Sequence, residues 1–217
     1  LSHSDFLETI NSKWLEFAPH VYEYNFTIPS ESREKVAMKI KEKYLEGEDL
    51  SKENIGKFLD SLSDRHFKIC MEKTVRFQLP SKKEPTYVYE FGYLGETSLG
   101  NKFWDPEENY GVCHGDDTGY ALDTTYMDPT TTEEDRKMIE FKTKLIASFV
   151  ISGNPDVGPV EWEPVKIEDD EINYLKIMSP DDVKMDKTKH FGETEFWDTL
   201  GIMENEALFK SEGKDEL

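Results

Sequence analysis

A histidine between two glycines, followed at once by paired carboxylates, is the strongest chemical candidate in the chain. It lies in the run Tyr-Gly-Val-Cys-His-Gly-Asp-Asp-Thr-Gly-Tyr, Tyr110 to Tyr120. A neutral imidazole accepts a proton near pH 7 and returns it. To do so in catalysis, His114 must reach a nucleophile on one side and an orienting carboxylate on the other. Gly111 and Gly115 permit a tight loop that presents the ring. Asp116 and Asp117 are too close in sequence to be obvious orienting partners, although either can brace the loop. One histidine with two aspartates is a thin ligand set for a metal, and no second histidine stands at useful spacing. By residue type alone, a surface-loop histidine without a role outweighs the catalytic reading.

Other reactive residue types carry less. His3, His20, His66 and His190 read as solvent-facing or structural. Trp14, Trp104, Trp162 and Trp197 read as packing residues rather than stacking platforms. Cys113, beside His114, is a pocket-lining thiol or a small filler. Cys70 and Cys113 fit no metal spacing; two free thiols and a single disulfide both remain open. No cofactor is implied.

Composition narrows the class of function. Among 217 residues, Lys and Arg number 26 and Asp and Glu 46, a net charge of −20. No basic stripe exists to displace counterions from phosphates, which argues against nucleic acid, and the charge opposes docking on anionic membranes. No apolar run approaches the roughly eighteen residues of a membrane span. The last four residues, Lys214, Asp215, Glu216 and Leu217, match the endoplasmic-reticulum retention signal at the position where a receptor reads it. Asn25-Phe26-Thr27 is a glycosylation sequon. Together they indicate the lumen, which requires a signal peptide that this sequence does not show. The chain, which begins at Leu1, is therefore expected to be a fragment.

The elements that must position His114 can be outlined. Apolar residues at Phe6, Leu7, Ile10, Trp14, Leu15 and Phe17 predict a helix over 4–17, ended by Pro19. Pro29 and Ser30 open a second, with Val36, Ile40 and Tyr44 on one face and Gly47 at its close. A short helix is expected over 51–59. A longer one, capped by Asp64, runs to about Phe77 with Phe67, Met71 and Val75 inward. Thr86 to Leu94 reads as a strand. Residues 95–132 are irregular, and long loops of this kind are often functional. Thr131 and Glu134 have the spacing of a capping box ahead of a helix. Met138, Leu145 and Phe149, with Ile139, Ile146 and Val150, form two apolar rows before Gly153 and Pro155 stop it. Ile172 to Met178 reads as a second strand, and 195–200 as a terminal helix. Two convincing strands are too few for a complete parallel sheet.

Four motifs in order shift the weight toward catalysis. The loop resembles the histidine loop of type-B carboxylesterases, the serine esterases of the α/β-hydrolase fold that include the cholinesterases, and in particular their insect branch. There, a Y-x-Y-x-F strand precedes the loop; here Tyr87, Tyr89 and Phe91. The loop pattern is met by Gly111, His114, Asp117 and Tyr120. A helix ending F-A-x-x-G-N-P follows, here Phe149 to Pro155, and then W-P-P-V/Y, here Trp162 to Val165. Order and spacing agree across about 64–200. The chain departs from the pattern at Ile146, where a tryptophan is usual, at Val150 for alanine, and at Thr118-Gly119.

The resemblance implies an α/β fold, with residues 1–217 as the C-terminal part of one α/β-hydrolase catalytic domain and an incomplete sheet. It implies a serine carboxylesterase acting on small carboxylic esters through an acyl-enzyme, with His114 as general acid and base and Gly111 and Asp117 supporting the loop. The family's triad runs serine, glutamate, histidine, and no G-x-S-x-G occurs in this sequence. Nucleophile, acid and oxyanion hole are thus expected in a missing N-terminal half, and the piece alone should be inactive. A non-catalytic adhesion module on the same fold is the alternative. An acidic calcium-binding protein ranks last, because the carboxylates are dispersed.

Overall fold

In the computed structural model, which describes residues 3–81, 83–103, 109–123 and 132–202, the chain divides into two units. One comprises residues 1–75 with 190–217, the other residues 76–189. The tetrapeptide 214–217, expected to act as a retention signal, Thr131 and Trp104 lie outside the described residues.

The first unit is helical. Most of it is built from α1 (His3–Ser12), α2 (Trp14–Val21), α3 (Arg33–Leu45), α4 (Ile55–Ser63) and α5 (Ile69–Gln78), the last crossing the boundary at 75/76. The single helix expected over 4–17 is two, broken at Lys13, and Pro19 sits inside α2 rather than ending it. Burial of Pro19 with Trp14 and Ala18 offsets the one backbone bond that proline cannot make. Trp14 Nε1 donates to Ala37 O at 2.9 Å, joining α2 to α3. On α3, Val36 and Ile40 face the core as expected, and the helix ends in left-handed residues at Glu46 and Gly47. Helix α4 starts later than expected, because the Asn54 side chain bonds back to Ser51 N and Asp49 O.

Asp64 does not cap a new helix. The chain continues from α4 through a π-helical turn, Asp64–Lys68, into α5. The wider turn rotates α5 about its axis relative to α4. Val75 is buried as expected, but Ile69 and Glu72 are buried with it, Met71 is half-buried and Phe67 is exposed.

The second unit holds β1 (Tyr89–Phe91), α6 (Leu99–Phe103), α7 (Asp116–Gly119), α8 (Glu133–Ser152), β2 (Ile172–Ser179) and β3 (Asp182–Thr188). The sheet order is β1-β2-β3, with β1 parallel to β2 and β2 antiparallel to β3. Tyr89 pairs with Leu175 and Phe91 with Ile177. The expected strand over 86–94 contributes only three residues of ladder, extended by Leu175 N to Val88 O and Gly92 N to Ile177 O. Strand β2 is apolar and buried at Ile172, Tyr174, Leu175 and Ile177, as a central strand requires. The sequence reading missed β3, whose Val183 and Met185 alternate with Lys and Asp; it is a charged edge strand.

Helix α8 begins one residue beyond the expected box. Thr132 Oγ1 accepts from Asp135 N at 3.0 Å, a cap of about 1 kcal/mol. Gly153, at φ +72°, ends it as expected. Met138 and Leu145 are buried with Lys142 between them, whereas Ile146, Phe149 and Val150 are exposed. The terminal helix α9 (Thr194–Asp198) belongs to the first unit, where Trp197 Nε1 donates to Tyr44 Oη at 2.7 Å.

Candidate active site

Two neighbouring carboxylates fasten the His114 loop in different directions. Asp116 is buried, and its Oδ2 accepts from Cys113 N at 2.8 Å and Ser98 Oγ at 2.9 Å. Its Oδ1 accepts from Leu99 N at 2.8 Å, at the start of α6. Asp116 thus closes the loop on itself and ties it to residues 98–99. Asp117 points elsewhere. Its Oδ2 accepts from Tyr89 Oη at 2.6 Å, on β1, and from Lys142 Nζ at 3.1 Å, on α8. The lysine also donates to Tyr89 Oη at 3.2 Å and lies 4.3 Å from the centroid of the Tyr89 ring, a cation–π distance.

Backbone freedom makes the loop possible. Gly111 has φ +89° and Gly115 φ +92°, conformations that disfavour side chains. Gly111 N donates to Asn109 Oδ1 at 2.8 Å. At the far end, Tyr120 and Tyr93 hydroxyls both donate to Asp135 Oδ1, at 3.0 and 2.9 Å. Gly95 abuts this pair so closely that a Cβ there would collide with the Tyr120 hydroxyl and the Asp135 carboxylate. The loop is therefore anchored before, within and after the histidine, while His114 itself is exposed.

The electrostatics follow from these contacts. Burial pushes the Asp117 carboxyl up, but the Tyr89 hydroxyl and the Lys142 ammonium together hold it below the usual carboxylate range. The charge of a protonated His114 is the smallest of the contributions acting on Asp117 in that direction. Burial pulls Lys142 below the usual lysine range, opposed by Asp117. Burial and the charge of Asp116 raise the Cys113 thiol, so Cys113 is not poised as a thiolate. Cys70 and Cys113 are both free thiols.

Of the other singled-out residues, His66 Nε2 is 2.8 Å from Val21 O and His190 Nδ1 is 2.9 Å from Glu72 Oε1. Trp162 is buried with its ring edge-on to Tyr87 and Tyr89. Asn25 is half-buried in the turn after α2, beside a Phe26 that is 92% exposed. A cleft of about 650 Å³ in the second unit is lined by Tyr87, Asn154, Asp156 and Trp162 among others, and His114 does not line it. Among the described residues, no group of three or more His, Cys, Asp or Glu is arranged to hold a metal ion. None of their helices is long and apolar enough to cross a membrane.

Sequence reasoning singled out His114, Gly111 and Asp117 but missed Lys142, Ser98 and Tyr89 as neighbours in the same assembly. The available signal was Lys142 itself. It stands four residues after Met138 and three before Leu145, on the buried stripe of α8, where a charge demands a partner.

Comparison with known proteins gives a consistent result. The model of the Carboxylesterase family matches residues 3–197. Venom carboxylesterase-6 of Apis mellifera is 32% identical over 197 residues, 90% of this chain and 35% of that protein. Esterase FE4 of Myzus persicae is 37% identical over 174 residues, 77% of this chain and 31% of that protein. The crystal structure of juvenile hormone esterase from Manduca sexta, with OTFP covalently attached, superposes with a TM-score of 0.68. It shares 20% identity, with 90% of this chain and 37% of that one covered, a likeness of α/β-hydrolase fold. The chain thus spans about a third of the length of the curated relatives it matches.

Proposed function

The chain belongs to the carboxylesterase family, and we propose that it is the histidine-bearing part of a serine carboxylic ester hydrolase. The observation that carries this reading is the exposed His114 on a loop braced on opposite sides by Asp116 and Asp117. A base that shuttles a proton between two oxygens must be accessible and sit on a fixed backbone, and the exposure of His114 and the braces of its loop support that reading.

In this reading, a serine from sequence outside these 217 residues attacks the ester carbonyl. His114 takes the serine proton and passes it to the leaving alcohol. It then activates the water that cleaves the acyl-enzyme. An acidic residue, also outside this sequence, orients the imidazole, and backbone N–H groups there stabilise the oxyanion. Gly111 gives the loop its turn and Asp117 its brace. The substrate is a small carboxylic ester and no cofactor takes part. The 214–217 tetrapeptide and the Asn25 sequon support residence in the endoplasmic-reticulum lumen, through a retention receptor and with a glycan at Asn25.

The test is turnover of a short aryl ester by the full chain. His114→Ala should lower kcat/KM by roughly a thousandfold or more. His66→Ala and His190→Ala should change the turnover of folded protein little. Equal losses at all three positions would remove His114 from its role. A full chain that turns over no ester but is folded would favour the adhesion module.

A further inference from the structure

Lys142 is the least expected side chain in the second unit. It sits on the buried stripe of α8 with 1% of its side chain exposed. Burying an ammonium is costly unless it is paired and bonded. Here it has an ion-pair partner in Asp117, an acceptor in the Tyr89 hydroxyl, and the faces of Tyr89 and Phe91 at 4.3 and 5.4 Å. A well-packed core needs none of this. Leucine or methionine at position 142 would bury without desolvating a charge.

The location of the pair suggests its purpose. Asp117 is three residues from His114, on the same loop, and it ties that loop to Tyr89 and Lys142. A carboxylate without a counterion favours the protonated form of a nearby base. An ammonium at 3.1 Å offsets that charge while leaving the carboxylate free to hold the loop.

We propose that Lys142 is a positioning residue for the esterase reaction: it locks the His114 loop through Asp117 and Tyr89, and it pairs the carboxylate charge that stands three residues from the base. The proposal rests on the reading of His114 as general acid and base. Among the described residues, the titratable groups about the pair are these. Strand β1 supplies Tyr89, whose phenol is pushed up by burial and by Asp117 and so stays a neutral donor. The loop supplies His114 and Asp117, and α8 supplies Lys142. Asp116 is turned to Ser98 and Leu99, and Asp135 is occupied by Tyr93 and Tyr120.

The experiment is the pH dependence of kcat/KM for a neutral aryl ester with the full chain. Its acid limb reports the apparent pKa of the base, which does not depend on how much of the protein is folded. Asp117→Asn leaves the ammonium uncompensated, disfavours the imidazolium, and should move the limb down by roughly half a pH unit. Lys142→Met leaves the carboxylate uncompensated and should move it up by about the same amount. The double variant should return toward the parental limb. Asp117 is partly exposed and asparagine is its near-isostere, so that variant carries the test if Lys142→Met fails to fold. Limbs that do not move, or that move in the same direction while turnover falls at every pH, would overturn the proposal and leave Lys142 a structural residue. Full activity in His114→Ala would be a different failure, that of the catalytic reading itself.

Discussion

Glu72, on α5, accepts a hydrogen bond from His190 Nδ1 at 2.9 Å, across 118 residues of sequence. The same carboxylate accepts from Phe191 N at 2.8 Å and from Thr194 Oγ1 at 3.0 Å. Within the first unit it therefore holds the segment that leads into α9. Asp64 does parallel work earlier in the chain, accepting from Tyr44 Oη, Lys68 Nζ and Glu193 N.

Glu72→Ala should destabilise the protein by about 3 kcal/mol, because it removes a buried carboxylate that His190, Phe191 N and Thr194 share as acceptor. Glu72→Gln keeps an acceptor and should cost less. Urea unfolding of the full chain, followed by tryptophan fluorescence, measures both. A loss below about half a kcal/mol for the alanine variant would mean that the segment is held by packing alone.

Alkaline pH should unfold the protein earlier than its carboxylates would suggest. Burial, then Asp186 and Glu90, push the Tyr174 phenol up to about 12, and burial also raises Tyr22, Tyr24, Tyr44, Tyr89, Tyr93 and Tyr120. Each phenol stays neutral in the native state where the unfolded chain would release its proton. The stability these groups confer is complete below about pH 10 and falls above it by up to about 1.4 kcal/mol per pH unit for each group. Phenolate absorbance and near-ultraviolet circular dichroism should therefore change together. Phenolate rising while the dichroism of the folded state persists would show that these phenols are not held as described.

The last turns of α8 predict association. Phe149, Val150 and Ile151 are 45%, 77% and 85% exposed, and Ile146 joins them. Contiguous apolar surface of this kind promotes contact between molecules. The 217-residue chain expressed alone should sediment as oligomers or aggregates, and Val150→Lys with Ile151→Lys should shift it toward the monomer. A monodisperse monomer before substitution would count against this, as would a sharp cooperative thermal transition from it.

Much of this was legible in the sequence because local physics set it. The span of α8 with its buried Met138 and Leu145, the aromatic strand at Tyr89 and the glycines around His114 each carry a periodicity or a backbone demand that short stretches reveal. The π-helical turn after α4 was not legible. Nothing in Asp64 to Lys68 marks an extra residue per turn, and a rotation of the apolar face exposes Phe67 and buries Glu72. Nor was β3, whose charged alternation suits an edge and also suits a loop. Lys142 hid for a related reason. A lysine on an apolar stripe reads as an interruption until Asp117 and Tyr89, 25 and 53 residues away, arrive beside it.

Among the described residues, the braces of the His114 loop named above come from one uninterrupted stretch: Tyr89, Ser98, Leu99, Asp116, Asp117, Asp135 and Lys142 all fall within residues 76–189. The geometry of the histidine is thus encoded as a cassette. Recombination between related genes with breakpoints outside that stretch would carry the loop and all its braces together, whereas a crossover between positions 117 and 142 would separate a buried cation from its counterion. In shuffled or chimeric enzymes built from this family, that interval is where a junction should not be placed.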